Sequence, residues 1–257
     1  MKKALALTLV TLFAAGSYAA IVIQDNFDSY ADQAAFLAAW PTDPTIAVPT
    51  PLALSTDQAH SAPQSVFQEG NVARRNYRLF GQEVAPSDLQ PLMAEFWLYV
   101  PATNSNSRLY CEIRGYSGTG LGDGSLQELI AIGTTNVLTG GAAWFQGRVA
   151  FAGLANSGWI NLNLPGAPAR TAGWHKLGIE VKDAGVVNFY VNDILSGTIT
   201  DPTPIASYDT FMLGSGLTSN PTAPQSGYYD DVLVQSIPEP ASLALLVLGG
   251  LALVRRR

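Results

Sequence analysis

The chain has 257 residues, a formal net charge of −6 and only 13 % charged residues, with 24 glycines and 16 prolines. An acidic balance of this kind argues against nucleic acid as a partner, and the length suits one sizeable domain between two short terminal segments. The single cysteine, Cys111, excludes an intrachain disulfide. It alternates with Leu109 and Ile113, which predicts a buried, inert thiol.

Lys2 and Lys3 open the chain, an uncharged apolar run covers Ala4 to Ala15, and Ser17-Tyr18-Ala19 offers small residues at the positions a signal peptidase reads. Residues 1–19 are therefore expected to be a secretory signal peptide, cleaved after Ala19. A domain over residues 20–236 follows. Its helical candidate is Tyr30 to Ala39, opened by Ser29, with Asp32 in the first turn and a stop before Pro41. Period-two alternation dominates thereafter. Leu92, Ala94, Phe96, Leu98 and Val100 form one apolar row, interleaved with Met93, Glu95, Trp97 and Tyr99. The glycine-rich stretch Gly115 to Ser125 lacks the Lys-Ser/Thr and following helix of a phosphate loop, so it reads as a connection. His175-Leu177-Ile179-Val181 and Val187-Phe189-Val191 alternate likewise around Lys182-Asp183-Ala184-Gly185, which predicts a hairpin. The expectation is an all-β antiparallel sandwich, with one short N-terminal helix and a C-terminal hydrophobic helix.

Residues 237–257 form the last segment. Ile237-Pro238-Glu239-Pro240 leads into the uncharged run Ala241 to Val254, and then into Arg255, Arg256 and Arg257. An apolar stretch halted by three arginines is a stop-transfer arrangement, with the arginines on the cytoplasmic side and the preceding domain outside. The tripeptide, the apolar run and the arginine cluster closely resemble the PEP-CTERM sorting signal of Gram-negative bacteria that make extracellular polysaccharide. That resemblance implies an exosortase-type membrane peptidase as partner, acting near Pro238-Glu239-Pro240. It also implies anchorage in the inner membrane through the C-terminus, followed by delivery to periplasm, cell surface or extracellular matrix.

Within the middle domain, Gly173-Trp174-His175-Lys176-Leu177 and Val187-Asn188-Phe189-Tyr190-Val191-Asn192 resemble a hairpin of laminin-G-like or concanavalin-like jelly rolls, with Asp193 where those carry glycine. Asp25-Asn26-Phe27-Asp28 and Tyr229-Asp230-Asp231-Val232 resemble their first and last strands. The implied jelly roll hosts lectins, lyases, hydrolases and adhesive modules alike.

Catalytic signatures are sparse. His175 shares a strand face with Leu177 and Ile179 and reads as a core histidine, while His60 sits in a polar loop with Asp57 and Ser61. No Gly-x-Ser-x-Gly elbow, zinc-spaced ligand set or strand of alternating glycosidase carboxylates occurs. What remains is a set of decorated strand faces. Trp97, Tyr99, Arg108, Tyr110, Glu112, Arg114 and Trp144 are expected to line one concave sheet face, where aromatic rings stack on sugars and planar polar groups meet hydroxyls. The arginines favour acidic polysaccharide. The competing reading packs this face beneath loops as a second layer. The preferred function is a non-catalytic glycan-binding module of the surface or matrix. The alternatives are a polysaccharide lyase-like enzyme, to which Tyr110 and the arginines point but which lacks its Gln-x-His strand, and a purely structural adhesion protein. A structural calcium ion joining Asp25 and Asp28 to Asp230 and Asp231 is a further expectation, against which stands simple turn capping.

Overall fold

The structure is a computed structural model. It describes residues 19–237, apart from positions 47, 71, 102–107, 119, 122–123, 139–141, 152, 154–157 and 217–224. The expected signal peptide up to Tyr18 and the tail from Pro238 onward lie outside the described residues. The chain begins with β1 (Ala20–Asp25), the helix α1 (Gln33–Ala39), β2 (Ala53–Ser55), β3 (Ser65–Gln68) and β4 (Asn76–Val84). Next come β5 (Leu92–Val100), β6 (Leu109–Tyr116), β7 (Leu126–Thr134), β8 (Gln146–Phe151) and β9 (Ile160–Asn161). It ends with β10 (Gly173–Val181), β11 (Val186–Val191), β12 (Ile194–Thr200), β13 (Tyr208–Leu213) and β14 (Gly227–Ser236).

Two antiparallel sheets stack as a sandwich. One has eight strands in the order β12-β11-β10-β5-β14-β3-β2, with β1 also paired to β14; the other has six, in the order β4-β13-β6-β7-β8-β9. The alternation read from the sequence is the reason. Leu92, Ala94, Phe96, Leu98 and Val100 of β5 are all buried, while Met93, Glu95, Trp97 and Tyr99 between them are half-buried. The inward rows of β10 and β11 meet those of β6, β7 and β13 in one core, which includes Cys111. Burial pushes the Cys111 thiol well above its ordinary value, as expected of an inert core cysteine.

The helix starts later than the sequence pattern predicts. Asp32 is its N-cap rather than a first-turn residue, because its carboxylate accepts the Ala35 N–H at 2.8 Å. The hairpin from β10 to β11 forms as expected, with a short 3-10 turn over Asp183–Gly185. His175 is 5 % exposed. Its Nε2 meets the Thr171 carbonyl at 2.8 Å, and burial, ahead of the nearby Arg170 charge, lowers its pKa.

Two buried carboxylates tie the layers together. Asp25 accepts from Phe27 N at 2.8 Å, Trp40 Nε1 at 2.9 Å and Arg78 Nη1 at 2.9 Å, and from the Tyr30 hydroxyl, so it joins β1, the helical segment and β4. Glu128 of β7 is 1 % exposed and accepts from the Tyr208 hydroxyl. No donor among the described residues reaches Glu128 Oε2 or Asp201 Oδ2. Desolvation by burial, with Asp201 beside it, pushes the Glu128 pKa up to about 8. Glu128 therefore keeps its proton at neutral pH and offers an O–H donor beside Asp201.

Candidate functional site

The residues expected on one face are divided between the two sheets. Trp97 and Tyr99 stand on β5 in the eight-stranded sheet, whereas Tyr110, Glu112 and Arg114 stand on β6, with Arg108 just before it, in the six-stranded sheet. Trp144 precedes β8 in that second sheet. The single concave face is thus corrected to two separate surfaces. Alternation correctly assigns these side chains to the non-core side of their strands, but it does not say which sheet a strand joins. Pairing decides that: β5 lies between β10 and β14, and β6 between β13 and β7.

The outer face of the six-stranded sheet holds the larger cavity, about 660 Å³, lined by Tyr110, Glu112, Arg114, Leu129 and Arg148 from the sheet. Thr45, Ile46, Val48, Thr50 and Arg75 roof it from outside. This roof leaves Tyr110, Glu112 and Arg114 only 4–6 % exposed, so packing beneath loops and a lined cavity coexist on one face. Tyr110, Leu129, Ala131 and Ala150 form a small apolar cluster of their own, against which Trp159 packs, 5.0 Å from the Tyr110 ring. Gly133, opposite Tyr110 on β7, has a φ of +154°, and a Cβ there would meet the Leu109 carbonyl oxygen at 2.1 Å.

The charges of the cavity are ordered. Arg114 donates from Nε to Glu112 Oε2 at 2.6 Å, its Nη2 lies 2.5 Å from the same oxygen, and Nη1 donates to the Tyr116 hydroxyl at 2.9 Å. Arg75 donates from Nε to Asp43 Oδ2 at 2.6 Å, with Nη1 3.6 Å from Glu112. Burial would raise the Asp43 carboxyl, but Arg75 and the donors of Thr45 outweigh it and hold the pKa below its ordinary value. Three guanidinium groups thus face two carboxylates. The surplus positive charge is that of Arg148, whose Nε is buried without an acceptor among the described residues. Burial raises the Tyr110 phenol well above its ordinary value, so it stays protonated.

Two expected site residues stand apart from this cavity. Arg108 donates from Nε to Asn136 Oδ1 at 2.6 Å, and the Trp144 carbonyl accepts from Gln146 Nε2 at 2.6 Å. Arg148 of β8, by contrast, lines the cavity although it is outside the expected set. The spacing of Trp144, Gln146 and Arg148 was the available signal. Nothing local marks Asp43 or Arg75, which reach the cavity from a loop and from just before β4.

The four aspartates expected to hold calcium each accept from protein donors, and Asp25 and Asp231 border a common depression. Asp28 accepts from Asn26 Nδ2 at 2.8 Å and from Gln64 N at 3.2 Å. Asp230 accepts from His60 N at 2.8 Å and from Ser61 N at 3.0 Å. Asp231 accepts from Ser61 Oγ at 2.8 Å and lies 2.6 Å from His60 Nδ1. Among the described residues, no three His, Cys, Asp or Glu side chains group to hold a metal ion.

The architecture and cavity define a β-sandwich module. Its last residues, 236–257, match the PEP-CTERM protein-sorting motif, which marks an exported protein held at the membrane on its way to the surface. Among the described residues no helix is long and apolar enough to cross a membrane. No curated protein sequence matches the chain. Among solved structures, it is similar to the cellulose induced protein Cip1, at 13 % identity over 82 % of this chain and 96 % of that one, with a TM-score of 0.53. It is similar also to a carbohydrate esterase of the Shiga toxin-encoding bacteriophage phi24B, at 11 % identity over 86 % of this chain and 100 % of that one, with a TM-score of 0.53. Against a sialidase, at 12 % identity and a TM-score of 0.49, 84 % of this chain spans only 18 % of that protein. Likeness at these identities is likeness of fold.

Proposed function

We propose that the protein is a non-catalytic glycan-binding module of the cell surface or extracellular matrix, released by an exosortase-type peptidase, with a laminin-G-like or concanavalin-like jelly roll as its scaffold. The cavity on the six-stranded sheet is its binding site, and an acidic polysaccharide is the ligand. The observation that carries this reading is Arg148, a guanidinium on the cavity wall with no acceptor for its buried Nε, where every other charge is paired. A ligand carboxylate that pairs with the guanidinium from the cavity side neutralises the surplus charge. A lyase needs Tyr110 to pass a proton, and the buried, protonated phenol is poorly suited to accept one. The carbohydrate esterase of similar fold lends the sugar reading general support.

Affinity electrophoresis of the secreted domain in gels containing alginate or polygalacturonate tests the site. Arg148→Ala should weaken retardation at least tenfold with unchanged folding, and added salt should weaken the wild type. Equal retardation of variant and wild type refutes it. Release by the peptidase is checked by intact mass: surface-extracted protein that still carries Arg255 to Arg257 is anchored, not processed.

A further inference from the structure

The other half of the divided set also borders a groove. β14 changes its edge partner midway. Gly227 to Tyr229 pair with β3, and Val232 to Ser236 pair with β1. The register against β5 slips between Asp230 and Leu233, and Asp231 takes a φ of +47°, as a bulge requires. Beside this step runs a groove of about 250 Å³, lined by Gln24, Asn26, Glu95, Trp97, Lys176 and Asp231. It continues through Gln24, Asn26 and Asp231 into a second depression of about 520 Å³ that reaches Arg78.

Trp97 is held rigidly at this groove. The His60 ring stacks on it at 3.6 Å with an interplanar angle of 15°, and Asp231 fixes His60 through Nδ1 at 2.6 Å. Lys176 is the cross-strand partner of Trp97, and its Nζ lies 3.0 Å from Glu95. Arg78 is paired with Asp25 at 2.9 Å. Each cationic side chain along the groove therefore has its own carboxylate, in contrast to the cavity of the six-stranded sheet with its surplus guanidinium. Such a groove offers an indole surface, amide groups and the carboxylates of Asp25, Glu95 and Asp231, but no unpaired cation to attract an acidic chain. An uncharged polyhydroxyl chain matches it, with C–H faces on the indole and hydroxyls donating to the carboxylates.

We propose that this groove is a second carbohydrate site, specific for an uncharged polysaccharide, on the sheet opposite the acidic-glycan cavity. The module is then bivalent: one face holds an acidic chain and the other a neutral chain, and each protein ties the two together. The neutral site stands independently of the cavity, because the two share no residue.

The test is affinity electrophoresis in gels containing dextran, a galactomannan or a soluble β-glucan, run beside alginate gels. The wild type should be retarded in at least one neutral gel. Trp97→Ala should lose that retardation at least tenfold while its mobility in alginate stays that of the wild type. Gln24→Arg changes an exposed residue and fills the groove without disturbing the indole stack, so it should lose neutral retardation equally, even if Trp97→Ala fails to fold. Arg148→Ala should show the reverse pattern. In a mixture, only the wild type should sediment the neutral polysaccharide with alginate beads. No retardation of the wild type in any neutral gel, or neutral retardation unchanged by Gln24→Arg, overturns the proposal. Loss of alginate binding alone bears only on the cavity.

Discussion

Replacing Glu128 by Gln isolates a single titration in the core. The native carboxyl keeps its proton up to about pH 8, whereas the ordinary value is 4.5. An unfolded chain therefore loses this proton first as pH rises. The contribution to stability is complete below pH 4.5, falls as pH climbs, and is exhausted above about 8. At ~1.36 kcal/mol per unit the whole range amounts to about 5 kcal/mol, of which about 3.5 kcal/mol falls between pH 5 and 8. The Gln amide can donate to Asp201 and its oxygen can accept from Tyr208, so the variant keeps the contacts and has no proton to lose. Urea unfolding followed by tryptophan fluorescence, at intervals from pH 5 to 8, should show the wild type losing stability relative to Glu128→Gln by about that amount. His175, lowered by burial, costs stability in the opposite direction as pH falls, and it cancels in the difference because both proteins carry it. Two parallel curves, separated by a constant offset, would falsify the raised pKa of Glu128.

Asp25→Ala leaves the buried Trp40 indole N–H without an acceptor and Arg78 without its counter-charge, so a loss of about 3 kcal/mol is expected in urea unfolding. Asp193→Gly should stabilise by up to about 1 kcal/mol, since Asp193 sits at φ +64° and its ion pair with Lys176 is made by a side chain 71 % exposed; thermal unfolding checks it. Calcium bound by Asp25, Asp28, Asp230 and Asp231 should add about 2.7 kcal/mol at a hundred times its dissociation constant. Because these carboxylates already accept from protein donors, we expect equal melting temperatures in calcium and in chelator. A rise of several degrees with calcium would instead show that the ion binds.

The sandwich was legible because its strands carry period-two rows that reach both layers, and β5 shows how directly this works: each residue's burial follows its parity. The turn after β11 was legible in part. The sequence places Asn192-Asp193 where a glycine is customary, and the backbone takes positive φ at both, closing a two-residue hairpin without it. The helix start was misread because Ser29 and Asp32 are both competent caps, and only the chain's path after Phe27, itself at φ +61°, selects the later one.

Site assembly was less legible for a physical reason. Parity fixes which side of a strand a residue faces, but pairing partners far apart in sequence fix which sheet the strand enters. Trp97 and Tyr110 have equivalent local signatures, aromatic residues between buried neighbours, yet β5 pairs with β10 and β14 while β6 pairs with β7 and β13. The same long-range pairing brings His60 onto Trp97 and Asp231, 171 residues from His60 in the chain. No local pattern joins those three residues, and the groove exists only where they meet. A division by sheet also separates the charges. The arginines with their surplus fall on one side of the core and the paired charges on the other, so the structure turns one expected face into two surfaces of different electrostatic character. Two such surfaces on opposite sides of one rigid core cannot compete for a single chain, which is why bivalency follows from the fold once both sites bind.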